Sequence, residues 1–126
     1  MPDHVEINCR PREISQAILN IVNNAHDAIR FTAGDNWIKI ESNELGDDMI
    51  ELSITDSGTR IPPEIRDKIW EPFYTTKSIG KGSGLGLSLS CGIIKQHGGD
   101  IYLDQKCKNT RFVIRFPVAG IIKKSA

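Results

Sequence analysis

Asn20, Asn24 and Asp27 lie about one turn apart on a stretch whose apolar residues recur at helical spacing, so they share one edge of a helix. Asn23 projects elsewhere, towards water. Amide and carboxylate oxygens placed at such an edge offer hard donors to a cation like Mg²⁺, which takes few ligands from protein. Asp56 closes a strand-like run and is followed by Ser57 and Gly58. An ionised carboxylate only accepts hydrogen bonds, so it distinguishes an amine from a carbonyl. Gly80, Gly82, Gly84 and Gly86 alternate just before a helix-like run. There the bare backbone can approach an anion, and the N–H groups and dipole of the helix start favour phosphate. The spacing is neither G-x-G-x-x-G nor G-x-x-x-x-G-K-S/T, which removes the dinucleotide and P-loop readings. Each signal alone has a plainer meaning: solvated helix polars, a simple turn at Asp-Ser-Gly, a flexible glycine turn. Their order along one chain joins them.

The elements that must position these groups follow from periodicity. Val5 and Ile7 alternate with polar neighbours as in a short strand. Pro11 suits the first turn of a helix, whose apolar face is Ile14, Ala17, Ile18, Ile21, Val22, Ala25 and Ile29. Period-two alternation over Trp37–Ser42 and Ile50–Thr55, joined by Leu45-Gly46-Asp47-Asp48, predicts a hairpin. Pro62-Pro63 opens a short helix carrying Ile65 and Ile69, and Leu85–His97 forms another, ended by Gly98-Gly99. Ile101 and Leu103, then Phe112, Ile114 and Phe116, supply two further strands. The expected fold class is α/β: a two-layer sandwich, its mixed and mostly antiparallel sheet covered by helices on one face.

The 126 residues, with no repeats or long linkers, are expected to form one domain over 1–126. A formal net charge of zero, with Lys and Arg scattered, argues against nucleic acid. No run approaches the ~20 apolar residues of a membrane span, and no signal-peptide pattern opens the chain, so no membrane contact is expected. Cys9, Cys91 and Cys107 are odd in number and far apart, which fits reduced thiols and a cytoplasmic location.

Four segments, Asn20–Ala25, Asp56-Ser57-Gly58, Trp70-Glu71-Pro72-Phe73 and Gly82-Ser83-Gly84-Leu85-Gly86-Leu87, resemble the Asn, first glycine, Phe and second glycine boxes of the histidine-kinase ATP-binding domain. That domain belongs to the gyrase, heat-shock chaperone, histidine-kinase and mismatch-repair ATPases. The resemblance runs from about Glu13 to Pro117 and implies a Bergerat-type fold that binds ATP with Mg²⁺. It assigns Asn24 to the metal, Asn20 to the phosphate end, Asp27 to the nucleotide-binding set, and Asp56 with Gly58 to adenine. Phe73 closes the Phe box, and Thr76 and Lys77 fall in a lid, Tyr74–Lys81, like that of nitrogen-regulation kinases, with Lys77 a γ-phosphate contact beside Asn20 in the catalytic set. Gly82, Ser83, Gly84, Leu85, Gly86 and Leu87 would cradle the phosphates, and Thr110 would reach the adenine-reading carboxylate or its water; a plain turn residue is the other reading of Thr110. Hydrolytic members carry Glu where this chain has Asn20, an amide that cannot act as a general base. Phosphoryl transfer is therefore favoured over hydrolysis.

Two positions depart from the family pattern: Arg60 and Asn109 stand where it has glycine. Arg lacks the freedom of glycine at positive φ, so the first-box loop is expected to be reshaped, or Arg60 to lean over the nucleotide. His4, His26 and His97 lack the acceptor-histidine context and read as structural or exposed. The chain is thus expected to be a monomeric fragment of a larger sensor kinase, with two partners: that kinase's dimerisation and phosphoacceptor domain, and a response-regulator receiver domain. The other readings are a nucleotide-sensing interaction module, degraded at Arg60 and Asn109, and a serine kinase resembling the anti-sigma factors.

Overall fold

The structure, a computed structural model, describes residues 4–6, 10–30, 32–46, 48–72, 86–117 and 120–122. Helix α1 (Pro11–Ile29) starts where expected: proline sits at its first turn, and Glu13 there pairs with Arg10. Its apolar stripe buries Ile14, Ala17, Ile21, Ala25 and Ile29. Each large side chain so removed from water contributes about 1.5–3 kcal/mol.

Helix α2 (Gly86–Gln96) runs antiparallel to α1. At one end the Arg10 N–H donates to Nε2 of His97 (3.0 Å). In the middle the Ser90 hydroxyl donates to the Ala17 carbonyl (3.0 Å), where both residues are 0% exposed. Two small residues at the crossing let the helices approach closely. Beyond α2, Gly98 takes φ +77° and the Gly98 and Gly99 N–H groups bond back to Lys95 and Ile94 carbonyls, closing the helix as the glycine pair predicts. A Cβ on Gly99 would stand 2.5 Å from the Arg115 carbonyl oxygen, so this corner requires glycine.

Strands β2 (Ile38–Leu45), β3 (Met49–Thr59), β4 (Asp100–Leu103) and β5 (Asn109–Pro117) form one sheet in the order β2-β3-β5-β4. Every described pairing is antiparallel. The pairs Ile50–Phe116, Leu52–Ile114 and Ile54–Phe112 put alternate side chains on one face, where they join α1 and α2 in the core. The opposite face carries Glu51, bonded to Arg115 (3.3 Å), whose guanidinium lies over the Tyr102 ring. Among the described residues helices cover one face, as the two-layer reading expects. Strands β2 and β4 are the edges, and Ile40 on β2 is 54% exposed.

Three expectations change. The hairpin strands run further than the alternation indicates, and Asp48 at φ +57° makes their turn. The segment after Pro62-Pro63 is a series of turns ending in a 3₁₀ turn (Lys68–Trp70), not a helix. Its bonds to the Pro62 and Ile65 carbonyls alternate between three- and four-residue spacing, and Pro63 has no donor for a ladder. Finally, β1 (His4–Glu6) pairs with β6 (Gly120–Ile122) in a separate two-stranded sheet, and β6 had no local signal. Ile7 and Cys9 lie outside the described residues.

Candidate nucleotide site

Asn20 and Asn24 sit half-buried in mid-α1, at the edge facing α2. A Cβ on Gly86 would stand 3.9 Å from both Asn20 Cβ and Asn24 Nδ2, so the described start of α2 lies beside the two asparagines. Gly86, the last of the alternating glycines, is thus brought beside the asparagines. The Asn20 amide oxygen accepts from Gln16 (2.9 Å). Asp27 is half-buried one turn on, with exposed His26 beside it at 3.8 Å. Leu87 is half-buried, with part of its side chain against the core.

Asp56 lies at the other end of α1. The β3–β5 register shifts between Thr55 and Thr59, which takes Asp56-Ser57-Gly58 out of the β5 ladder while Asp56 stays paired with Ile38 of β2. The side chain of Asp56 is 2% exposed. Burial pushes its carboxyl above the usual 3.8, and a 2.7 Å bond from the Gly58 N–H pulls it partly back. A Cβ on Gly58 would meet Asp56 Oδ1 at 2.7 Å and Ile29 Cγ2 at 3.6 Å. Glycine here lets the loop close on the carboxylate and on the last turn of α1. From Asn20 to Ile29 the helix rises about 13 Å, so an amide-rich end and a buried-carboxylate end are held on one rigid rod.

The remaining expected residues divide in two. The Thr110 hydroxyl donates to the Thr59 carbonyl (2.8 Å), so its link to Asp56 runs through the loop backbone. Phe73, Thr76, Lys77, Gly82, Ser83, Gly84 and Leu85 lie outside the described residues. Arg60 does not take positive φ: among the described non-glycine residues only Asp48 does. Its N–H bonds the Lys108 carbonyl (3.1 Å) and its Nη1 reaches the Gln105 carbonyl (3.0 Å), so the side chain turns to the β4–β5 turn. Asn109, read earlier only as a glycine replacement, donates from Nδ2 to the Ser57 and Gly58 carbonyls (3.3 and 3.2 Å). Gln105 had no sequence signal. A cleft of about 260 Å³ at the β4 edge, lined by Trp70, Tyr102, Leu103 and others, includes neither the asparagines nor Asp56.

Among the described residues no group of three or more His, Cys, Asp or Glu could hold a metal. Neutral amide oxygens on α1 fit a magnesium ion that arrives with phosphates better than one held in a protein cage. No helix among the described residues is long and apolar enough to cross a membrane.

Residues 9–120 match the family model described as histidine kinase-, DNA gyrase B-, and HSP90-like ATPase. The sensor kinase CckA of Brucella abortus is 39% identical over 117 residues, covering 83% of this chain and 12% of CckA. The nitrogen regulation protein NtrY of Azorhizobium caulinodans is 39% identical over 97 residues, 74% of this chain and 12% of NtrY. The chain therefore spans 12% of the length of either relative. Among solved structures, the histidine kinase ThkA in complex with the response regulator protein TrrA aligns at TM-score 0.71 and 30% identity, over 91% of this chain and 31% of that one. Full-length ShkA in complex with AMPPNP aligns at TM-score 0.67 and 26% identity, over 85% of this chain and 22% of that one.

Proposed function

The chain belongs to the histidine kinase-, DNA gyrase B-, and HSP90-like ATPase family, and on that premise we propose that it is the ATP-binding catalytic domain of a sensor histidine kinase. It takes Mg²⁺-ATP and gives the γ-phosphate to a histidine on the dimerisation domain of the same kinase, for relay to a response-regulator aspartate. The carrying observation is the shared scaffold of α1: Asn20 and Asn24 against the start of α2, and Asp56 beside Ile29 at the far end. The AMPPNP-bound ShkA and the TrrA-bound ThkA lend support, since each aligns with most of this chain.

Asp56 accepts the exocyclic amine of adenine, held by the Gly58 N–H. Asn24 would hold the magnesium ion through its amide oxygen, Asn20 would lie at the phosphate end and Asp27 would line the nucleotide site, with Lys77 on the γ-phosphate. Bound magnesium supplies charge neutralisation on the phosphates. Phosphoryl transfer asks mainly for positioning and charge from the protein, which suits a site of amides, backbone N–H groups and one lysine. No residue at position 20 removes a proton from water, because an amide has no basic lone pair near neutral pH. The domain works on the cytoplasmic side, where ATP and the regulator are.

The test pairs two assays on the 126-residue chain. It should bind ATP with Mg²⁺ in calorimetry, yet release phosphate barely above background, and it should phosphorylate a histidine in the dimerisation domain of its own kinase supplied separately. Brisk steady-state hydrolysis that Asn20→Ala abolishes would refute the kinase reading.

A further inference from the structure

The two family departures, Arg60 and Asn109, meet across the same gap. The register shift between Thr55 and Thr59 draws the Asp56–Gly58 backbone away from its β5 ladder. Asn109 stands opposite Thr59, where pairing resumes, and its Nδ2 donates to the Ser57 and Gly58 carbonyls, 3.3 and 3.2 Å away. A glycine at 109 could supply neither bond. From the other side, Arg60 Nη1 donates to the Gln105 carbonyl at 3.0 Å. Each residue thus reaches across from its own segment to backbone oxygens of the other.

Resting on the adenine-reading role of Asp56, we propose that Asn109 and Arg60 are positioning residues that clamp the base-reading loop in its receptive shape and thereby set its preference for adenine. The chain of effects is short. Asn109 fixes the orientation of the Ser57 and Gly58 peptides. Those peptides aim the Gly58 N–H at Asp56 Oδ1 (2.7 Å), which fixes the plane of the carboxylate. Arg60 keeps the β4–β5 turn, and with it Asn109, seated against the loop. The Thr110–Thr59 bond closes the same junction. Where glycines at these two positions would leave the loop free to reorder, this chain holds it before nucleotide arrives. Pre-organisation of this kind raises affinity by lowering the ordering cost of binding.

The test uses the 126-residue chain as Asn109→Gly, Arg60→Gly, the double variant, Arg60→Lys and Asp56→Asn. Backbone amide exchange at Ser57–Arg60, without nucleotide, reads the clamp directly. Exchange at Ile101–Leu103 and Phe112–Ile114 in the same samples reports whether the fold is intact. Calorimetry with Mg²⁺-ATP and Mg²⁺-ITP reads selectivity. Asn109→Gly should speed loop exchange and weaken ATP about three- to tenfold, roughly one hydrogen bond's worth, with a smaller loss for ITP. Arg60→Gly should do the same more weakly, and Arg60→Lys should restore it. The double variant should lose less than the product of the singles, because both act on one loop. Loop exchange and the ATP-to-ITP ratio unchanged in Asn109→Gly, with core exchange intact, would overturn the clamp. Faster loop exchange with Asp56→Asn leaving the ratio untouched would instead overturn the reading of Asp56 while the clamp survives as a structural one.

Discussion

Replacing Asp56 by Asn tests the adenine assignment most sharply, because the surroundings dictate how the amide must sit. The Gly58 N–H points at Oδ1 from 2.7 Å. An asparagine amide nitrogen at that place would set donor against donor, so the amide oxygen takes the Gly58 bond. Its nitrogen then occupies the other carboxylate position and faces the base. An adenine amine meets a donor there, where the carboxylate offered an ionised acceptor. A hydrogen bond to a charged group is worth about 1.5–3 kcal/mol, which predicts an ATP affinity lower by about 10- to 150-fold. ITP carries a carbonyl at the same ring position, which the new donor suits, so ITP should bind as well as before or better. Calorimetric titration of parent and Asp56→Asn with both nucleotides gives the two ratios. An unchanged ATP-to-ITP preference would refute the assignment, even if both affinities fell.

The same substitution has a pH signature. Burial raises the folded carboxyl above 3.8, so the native state holds that proton more tightly than the unfolded chain. The stabilisation is present below 3.8 and is lost as pH rises through the raised folded value. Thermal unfolding should therefore show Asp56→Asn gaining stability relative to the parent over that window, and ATP affinity of the parent should fall as pH drops into it. Gly58→Ala should weaken ATP roughly tenfold with the fold intact, since its Cβ would displace a carboxylate oxygen 2.7 Å away and disturb one charged hydrogen bond; calorimetry and a melting curve separate the two effects. Ala17→Leu should cost about 1–3 kcal/mol by overpacking the 0%-exposed helix crossing, seen as a lower Tm. By moving Gly86 from Asn24 it should also weaken nucleotide.

Local periodicity made α1 legible, because seven apolar residues repeat on one face and Pro11 marks the start. The β3 and β5 core positions followed from alternation in the same way. Signals that depend on pairing across the chain did not. Strand β6 exists through β1, more than a hundred residues away, and has no pattern of its own. Arg60 read as a backbone problem because glycine was missing. The problem disappears once the register shift keeps that segment extended and supplies Lys108 and Gln105 as partners. Asn109 read only as a glycine replacement, while its bonds are to carbonyls 51 and 52 residues back. Within the site, residue types were readable and the ties between loops were not.

The placing of both ends of the site along α1 also limits how the gene can change. One codon inserted between Asn24 and Ile29 would lengthen the rod by only about 1.5 Å, but it would turn everything on one side of it by about 100°. The asparagines would swing away from Gly86, or Ile29 from Gly58, and no neighbouring loop could restore both. Length variation is therefore expected in the β2–β3 turn, around Asp48, and not inside this helix, whose phase is fixed at two separated points.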